Sequence, residues 1–152
     1  MTSKLNIAIS AVILAAGFAL ATNATRAGDM SQDAVYAVYA DIQKTFGSVP
    51  TFIKQLPKAA LAGAWQEEKD LELSDKTALP PKTKALISLA VAAQIPCQYC
   101  IWADTQTAKQ LGATDEEIGE AVAMSALTRH WSTLFNGLQV DFAQFKKEMG
   151  GS

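Results

Sequence analysis

The sequence predicts an all-α fold in which helices bundle around one core. Apolar residues recur three and four positions apart through most of the chain, which is the spacing of a buried helix face. Proline, glycine and polar runs divide these stretches into helix-sized pieces, and no run alternates apolar and polar residues as a half-buried strand would. The length of 152 residues suits a single domain.

Two helices are expected in the first half of the chain. Ser31 is a suitable N-cap for the first helix, which should run to about Thr45. Its apolar residues fall on one face and are predicted to be buried: Val35, Val38, Tyr39, Ile42 and Phe46. The second helix is expected from Lys58, directly after a proline, to about Leu73.

The third predicted helix, Lys82 to Gln94, follows the Pro80-Pro81 pair. Its stretch from Ala85 to Ala93 is apolar on almost every side. A helix that is apolar all round is buried all round. We therefore expect this helix in the centre of the domain or in an interface between copies of the chain.

Three more helices are expected towards the C-terminus. One runs from Cys97 to Leu111 and is closed by a glycine. Thr114 and Glu117 have the spacing of a capping box, which should open a long helix to about Phe135. A last amphipathic helix is expected over residues 140–149.

The first residues have the order of a secretory signal peptide. Lys4 supplies a positive start, Ile7 to Leu20 is a continuous apolar run, and small residues follow up to Ala27. A membrane span needs about 20 apolar residues, and this run is shorter. We therefore expect residues 1–27 to be removed, and residues 28–152 to form a domain that is periplasmic or secreted and free of the membrane.

The charge balance argues against nucleic acid as a partner. Without Lys4 and Arg26 of the signal segment, 11 basic and 15 acidic side chains remain, which gives a formal net charge of −4. Nucleic-acid phosphates and anionic membrane surfaces both attract basic patches. A mildly acidic domain gives no reason to expect either partner.

Cys97 and Cys100 are the only cysteines and form a Cys-x-x-Cys motif. This spacing occurs in redox dithiols, zinc sites, haem attachment sites and structural disulfides. Haem attachment needs a histidine directly after the second cysteine, where this sequence has Ile101. Zinc needs four ligands, and His130 is the only other soft ligand in the sequence, which argues against a zinc site. A structural disulfide in so short a loop contributes only roughly 2 kcal/mol. A redox dithiol is therefore favoured, with an inert closed disulfide as the alternative.

The position of the motif also favours reactivity. Because Pro96 precedes the pair, Cys97 is expected in the first turn of its helix, where free N–H groups and the helix dipole stabilise a thiolate. Two sulfurs one turn apart can exchange through a mixed disulfide. Cys97 is thus expected to be the more acidic thiol, while either cysteine could be the one that attacks.

Two stretches carry a resemblance to a known family: FGSVPTFIKQLP, and LPPKTKALISLAVAAQIPCQYCIWADTQTAKQLGATDEEIGEAVAMSAL from Leu79 to about Leu127. They are similar to the alkylhydroperoxidase D-like proteins of the carboxymuconolactone decarboxylase superfamily. The resemblance implies an all-α fold, assembly into trimers or hexamers, and no bound cofactor. Since the true lactone decarboxylases lack the cysteine pair, it also implies the peroxidase-like branch. That branch reduces hydroperoxides through a disulfide, which a thiol or thioredoxin-like protein reduces again.

Two positions depart from the pattern of this family. Its proton relay has a glutamate twelve residues before the first cysteine and a histidine four residues after the second, and here these positions are Ala85 and Asp104. Only Cys97 and Cys100 carry over, so a general base for the dithiol has to come from elsewhere in the chain, or catalysis is slow. Asp104 lies one turn beyond Cys100 and could accept a proton during exchange. It could also disfavour a thiolate by charge repulsion, or be a solvated surface group.

His130 and three aromatic residues are further candidates near the pair. His130 is the only histidine and could act as a relay, although a lone histidine more often has a packing or surface role. Tyr99, Trp102 and Trp131 could wall an apolar pocket beside the sulfurs. As large aromatics they are more often part of a core or an interface.

The expected function is that of an exported dithiol oxidoreductase that reduces hydroperoxides as a homo-oligomer. Cys97 and Cys100 would carry the electrons, with Asp104 or His130 moving protons and no metal or cofactor bound. Two other classes remain open. One is an acid–base enzyme that acts on a small organic acid without the thiols, and the other is a non-catalytic binding protein whose disulfide stays closed.

Overall fold

The computed structural model describes residues 31–151, and the predicted signal segment lies outside the described residues. The described part contains helices and no strands: α1 Gln32–Phe46, α2 Lys58–Glu67, α3 Pro81–Gln94, α4 Gln98–Gln110, α5 Asp115–Gly137 and α6 Phe142–Glu148. A short 3-10 helix covers Ile53–Gln55, and a π-helical segment, Glu68–Glu72, continues directly from α2. The predicted all-α fold is confirmed.

Local capping signals in the sequence fix several helix ends. The Ser31 side chain accepts a hydrogen bond from the N–H of Ala34 at 3.3 Å and so starts α1. At the start of α5, Thr114 and Glu117 form both hydrogen bonds of the capping box, at 2.8 and 3.1 Å. Gly112 follows α4 with a φ of 82°, a left-handed conformation that glycine adopts without strain.

The second helix extends to Glu72, close to the predicted end, but its geometry changes from α to π at Glu68. Two predicted boundaries were wrong. Cys97 is the N-cap of α4 rather than a residue of its first turn. The last helix begins at Phe142, because the side chain of Asp141 accepts a hydrogen bond from the N–H of Gln144 and caps the helix there.

The helix α3 lies at the centre of the fold and packs against both α4 and α5, while α1 packs against α2. One face of α3 is fully buried through Ala85, Leu89 and Ala92. The prediction that this helix is buried all round was wrong for the single chain, because Ile87 and Val91 are 48% and 54% exposed. Its outward face has no neighbouring helix within the described part of the chain to cover it.

The pair α1 and α2 forms a second part of the core. Val35 and Ile42 of α1 are buried with Leu61 and Trp65 of α2, as the apolar spacing of α1 predicted. Phe46, also predicted to be buried, is 50% exposed and meets the edge of the Trp65 ring at 5.6 Å between ring centroids. The end of α1 thus only partly covers its partner.

The long helix α5 contributes no buried residue. It carries large apolar side chains that remain substantially exposed: Val122, Met124, Leu127, Trp131, Leu134 and Phe135. Within residues 31–151, no helix is long and apolar enough to cross a membrane.

Candidate functional site at the cysteine pair

Cys97 and Cys100 form a disulfide at the junction of α3 and α4, with 5.3 Å between their Cα atoms. The Cys97 N–H donates to the carbonyl of Ala92 at 3.0 Å, and the Cys97 carbonyl accepts from the N–H of Ile101 at 2.9 Å. The first cysteine is therefore bonded to the end of one helix and to the start of the next. These backbone hydrogen bonds fix the disulfide at the junction of the two helices.

The first turn of α4 points an N–H group at the sulfur of Cys97. The donor is the backbone N–H of Cys100, at 3.2 Å from Cys97 Sγ. A helix N-terminus with an N–H directed at sulfur stabilises negative charge there. When the disulfide opens, Cys97 is thus the sulfur better suited to leave as a thiolate.

A cavity of about 340 Å³ opens beside the disulfide. Cys100 lines it and Cys97 does not. The other lining residues come from α3 and its C-cap, from α4 and from the π-helical segment: Glu72, Ile87, Ser88, Val91, Ala92, Ile95 and Asp104. A molecule in this cavity would meet the sulfur of Cys100 first.

Asp104 lies in the same cavity, as its position one turn after Cys100 predicted. Its side chain is half-buried, and burial is the main reason that its pKa is raised above the ordinary value, with the charge of Glu72 as the second cause. A carboxyl group in this state binds a proton more readily than a surface aspartate. The structure therefore brings Asp104 and Cys100 together, while its role in proton transfer stays a prediction.

The sequence reasoning missed two carboxyl groups at this site, Glu68 and Glu72 of the π-helical segment. Glu72 lines the cavity itself. Burial, followed by the charges of Glu72 and Asp104, raises the pKa of Glu68. In the sequence these residues belong to a charged run at the end of a helix, which is normally a solvated face, so no local signal could have marked them.

Lys84 fixes the position of the chain around Glu72. This lysine is buried at 7% exposure. Its ammonium group donates to the carbonyl oxygens of Leu71 and Ser74 and, at 2.9 Å, to the hydroxyl of Thr77. Two of these acceptors flank Glu72 in the chain, so the lysine on α3 holds the acidic segment against the cavity.

Ala85, which stands at the position of the family's relay glutamate, is buried in α3. It lines a second, smaller cavity of about 200 Å³, together with Glu72 and Lys84. Its methyl group contributes no proton-transferring function there. The two cavities share Glu72, which lies between them.

The structure does not place His130 in the lining of either cavity. His130 is exposed on α5 and meets the edge of the Trp131 ring at 5.3 Å between centroids. Tyr99 and Trp102 are 80% and 69% exposed, so the core position expected for them was wrong. The three predicted aromatic residues do not line the cavity either, which leaves an interface as their remaining predicted role.

The site has no metal-binding geometry within residues 31–151, since no three of the described His, Cys, Asp and Glu side chains are placed to hold a metal ion. A sequence profile of the carboxymuconolactone decarboxylase family matches residues 59–141, which is more than half of the chain. The chain belongs to the carboxymuconolactone decarboxylase family. The matched range contains the π-helical segment, the cysteine pair and Asp104, and so includes the whole candidate site.

One known protein and one crystal structure are similar to this chain over most of their own length. The uncharacterized protein 4 in the cox locus of Paracoccus denitrificans is 36% identical over 86 residues, which cover 54% of this chain and 78% of that protein. The crystal structure of the alkylhydroperoxidase AhpD core from Rhodospirillum rubrum matches with a TM-score of 0.61 and 28% identity, over 76% of this chain and 90% of that one. This member of the carboxymuconolactone decarboxylase family therefore has the alkylhydroperoxidase D-like fold.

The raised pKa of Asp104 predicts how Asp104→Asn changes stability with pH. The folded state binds the Asp104 proton more tightly than the unfolded chain does, so ionisation of Asp104 destabilises the fold as pH rises from the ordinary aspartate pKa through the raised one. Asp104→Asn removes this penalty. We expect the variant to gain stability relative to wild type, and to gain more near pH 7 than near pH 4.

Asp115→Asn is the matched control, because a hydrogen bond from Lys109 lowers the pKa of Asp115. Its ionised form stabilises the fold, so this variant should lose stability relative to wild type as pH rises through the acidic range. Chemical denaturation at the two pH values measures both effects. A pH-independent difference for Asp104→Asn would show that this carboxyl group is solvated surface.

Proposed function

We propose that this protein is an exported dithiol oxidoreductase with peroxidase-like activity, which reduces hydroperoxides through Cys97 and Cys100. The observation that carries the proposal is the placement of the pair. One sulfur occupies a helix N-terminus, and the other faces an open cavity. The similarity to an alkylhydroperoxidase core structure supports the same class of reaction.

In the proposed reaction, the Cys100 thiolate attacks the outer oxygen of a hydroperoxide from the cavity. The O–O bond breaks, an alcohol leaves after it takes up a proton, and Cys100 becomes a sulfenic acid. Asp104, which lines the same cavity, would donate that proton. Cys97 then attacks the Cys100 sulfur, water leaves, and the disulfide forms. Over the two steps together, the two thiols give two electrons to the peroxide.

A dithiol donor would return the two electrons. Its thiolate attacks Cys100 from the cavity, and Cys97 leaves as a thiolate that the N–H of Cys100 stabilises. The second donor thiol then attacks the mixed disulfide and releases reduced Cys100. A thioredoxin-like protein or a small dithiol fits this role, and the reaction requires no bound cofactor.

Turnover of a hydroperoxide by the purified mature protein tests the proposal. Consumption of cumene hydroperoxide, with dithiothreitol or a thioredoxin system as donor, should depend on the protein and disappear in a variant with both cysteines replaced by serine. Turnover that survives this double change would contradict the proposed role of the cysteines. A disulfide that resists reduction by excess dithiothreitol would support a binding protein.

Export is part of this proposal and rests on the order of charge, apolar run and small residues in the first 27 positions. Protein recovered from the exported fraction should begin at Gly28 or a few residues earlier. Intact mass measures this directly. Exported protein that retains Met1 would contradict the prediction.

We also propose that the chain assembles as a homo-oligomer, a trimer or a multiple of one. The exposed apolar side chains of α5 are numerous for a free surface, and a second copy of the chain would bury them. Light scattering at micromolar concentration should give the mass of an oligomer. Met124→Glu, at a side chain 59% exposed in the single chain, should dissociate it, and a wild-type monomer would contradict the proposal.

A further inference from the structure

We infer that the cavity beside Cys100 selects its substrates by charge, with Glu72 as the specificity-determining residue. Uncharged and cationic disulfides and hydroperoxides are accepted, and anionic ones are disfavoured. The inference rests on the proposed dithiol chemistry and adds the class of molecule on which it acts. It concerns a residue that does not exchange electrons itself.

The cavity is lined by both apolar and acidic side chains. Ile87 and Val91 of α3 and the following Ile95 are apolar, and between 48% and 62% of each of these residues is exposed. Glu72 and Asp104 are the charged residues of the lining. Among the residues that line the cavity none is basic, so an anionic group that enters finds no counter-charge.

Glu72 carries a charge that acts on both of the neighbouring carboxyl groups. Its charge contributes to the raised pKa of both Asp104 and Glu68. Within residues 31–151, its carboxylate belongs to none of the ion pairs. A cation in the cavity would relieve the repulsion among these three carboxyl groups, whereas an anion would add to it.

The position of Glu72 is fixed from the backbone side. Lys84 bonds the carbonyl oxygens of Leu71 and Ser74 on either side of it, and uses its third hydrogen bond on Thr77. The buried ammonium group therefore orders the segment without neutralising the Glu72 carboxylate by direct contact. A fixed charge at a substrate cavity discriminates between substrates more strongly than a mobile one on the surface.

Three disulfides of similar length test the inference: cystamine, which carries two ammonium groups, bis(2-hydroxyethyl) disulfide, which is uncharged, and dithiodipropionate, which carries two carboxylates. Each oxidises the reduced protein to the Cys97–Cys100 disulfide and is itself reduced to two thiols. The rate at which each disulfide oxidises the reduced protein is measured at about pH 8 and low ionic strength. It is divided by the rate at which the same disulfide oxidises dithiothreitol, which removes differences in reactivity among the three disulfides. We expect the normalised rate for cystamine to exceed that for dithiodipropionate by about tenfold or more, with the uncharged disulfide between them.

Glu72→Gln should bring this ratio to within about threefold, mainly by raising the rate with the anionic disulfide. Glu120→Gln is the control, since it removes one exposed carboxylate on α5 that lines neither cavity. For the wild type, raising the salt to about 0.5 M should also compress the ratio, and this measurement does not depend on a variant that folds.

The outcomes separate the inference from the proposed function. Equal normalised rates for the three disulfides, or a ratio that Glu72→Gln leaves unchanged, would overturn the charge selection while dithiol exchange stands. A reduced protein that none of the three disulfides oxidises would overturn both.

Discussion

Bis(2-hydroxyethyl) disulfide should trap the reduced variant Cys97→Ser as a mixed disulfide at Cys100. The variant Cys100→Ser should react much more slowly with the same disulfide. Cys100 lines the open cavity and Cys97 does not, so a disulfide that enters the cavity should react faster with the remaining thiol of Cys97→Ser than with that of Cys100→Ser. Serine is also a favourable N-cap residue, so this substitution preserves the start of α4. We expect a difference in rate of about tenfold or more between the two variants.

Mass spectrometry of each reduced variant after exposure to bis(2-hydroxyethyl) disulfide measures the adduct. Both variants should also lose peroxide turnover to the background rate, a loss of about 10³-fold or more, because the protein disulfide can no longer form. Faster modification of Cys97 in Cys100→Ser than of Cys100 in Cys97→Ser would contradict the assignment of Cys100 as the attacking sulfur.

The second large effect is expected for Lys84→Met. The substitution keeps most of the buried volume but removes the donor for the carbonyl oxygens of Leu71 and Ser74 and for the Thr77 hydroxyl. Leaving several partly buried acceptors without a donor costs about 1–3 kcal/mol. Part of this cost is offset, because the variant no longer buries a charged ammonium group. We expect the free energy of unfolding to fall by about 2 kcal/mol.

Lys82→Met is the matched control on the same helix. Lys82 forms an ion pair with Glu117 at 2.8 Å, but both side chains are more than a third exposed. An exposed pair of this kind is worth about 0–1 kcal/mol, so the control should be much less destabilised. Denaturant titration compares the two variants, and equal stability losses would show that Lys84 does not anchor the acidic segment.

Lys84→Met should also weaken the charge preference of the cavity, because Glu72 loses its fixed position.

The helix boundaries show which parts of the fold are encoded locally. Ser31, Gly112 and the Thr114–Glu117 pair act on backbone groups within a few residues, so their sequence signals correctly placed the ends of the helices they cap. The change to π-helical geometry after Glu67 has no such signal. It accompanies the packing of that segment against α3, which is a contact between distant parts of the chain.

The candidate site divides in the same way. The sequence by itself determined the cysteine pair, its place at the start of a helix and the proximity of Asp104, because residues three and four apart on a helix are neighbours. It could not show that His130 is exposed and does not line the cavity, nor that Cys100 rather than Cys97 lines it.

Only the tertiary structure decided that Glu68 and Glu72 approach Asp104, and that Lys84 holds them there. It likewise decided that Ile87 and Val91 remain exposed in the single chain although their helix is apolar all round. The physical reason is the range of the interactions involved. Caps, turns and helix faces follow from neighbouring residues, whereas burial, the pKa of a carboxyl group and the walls of a cavity depend on which elements pack together. That packing is fixed by the whole core and by buried contacts such as those of Lys84.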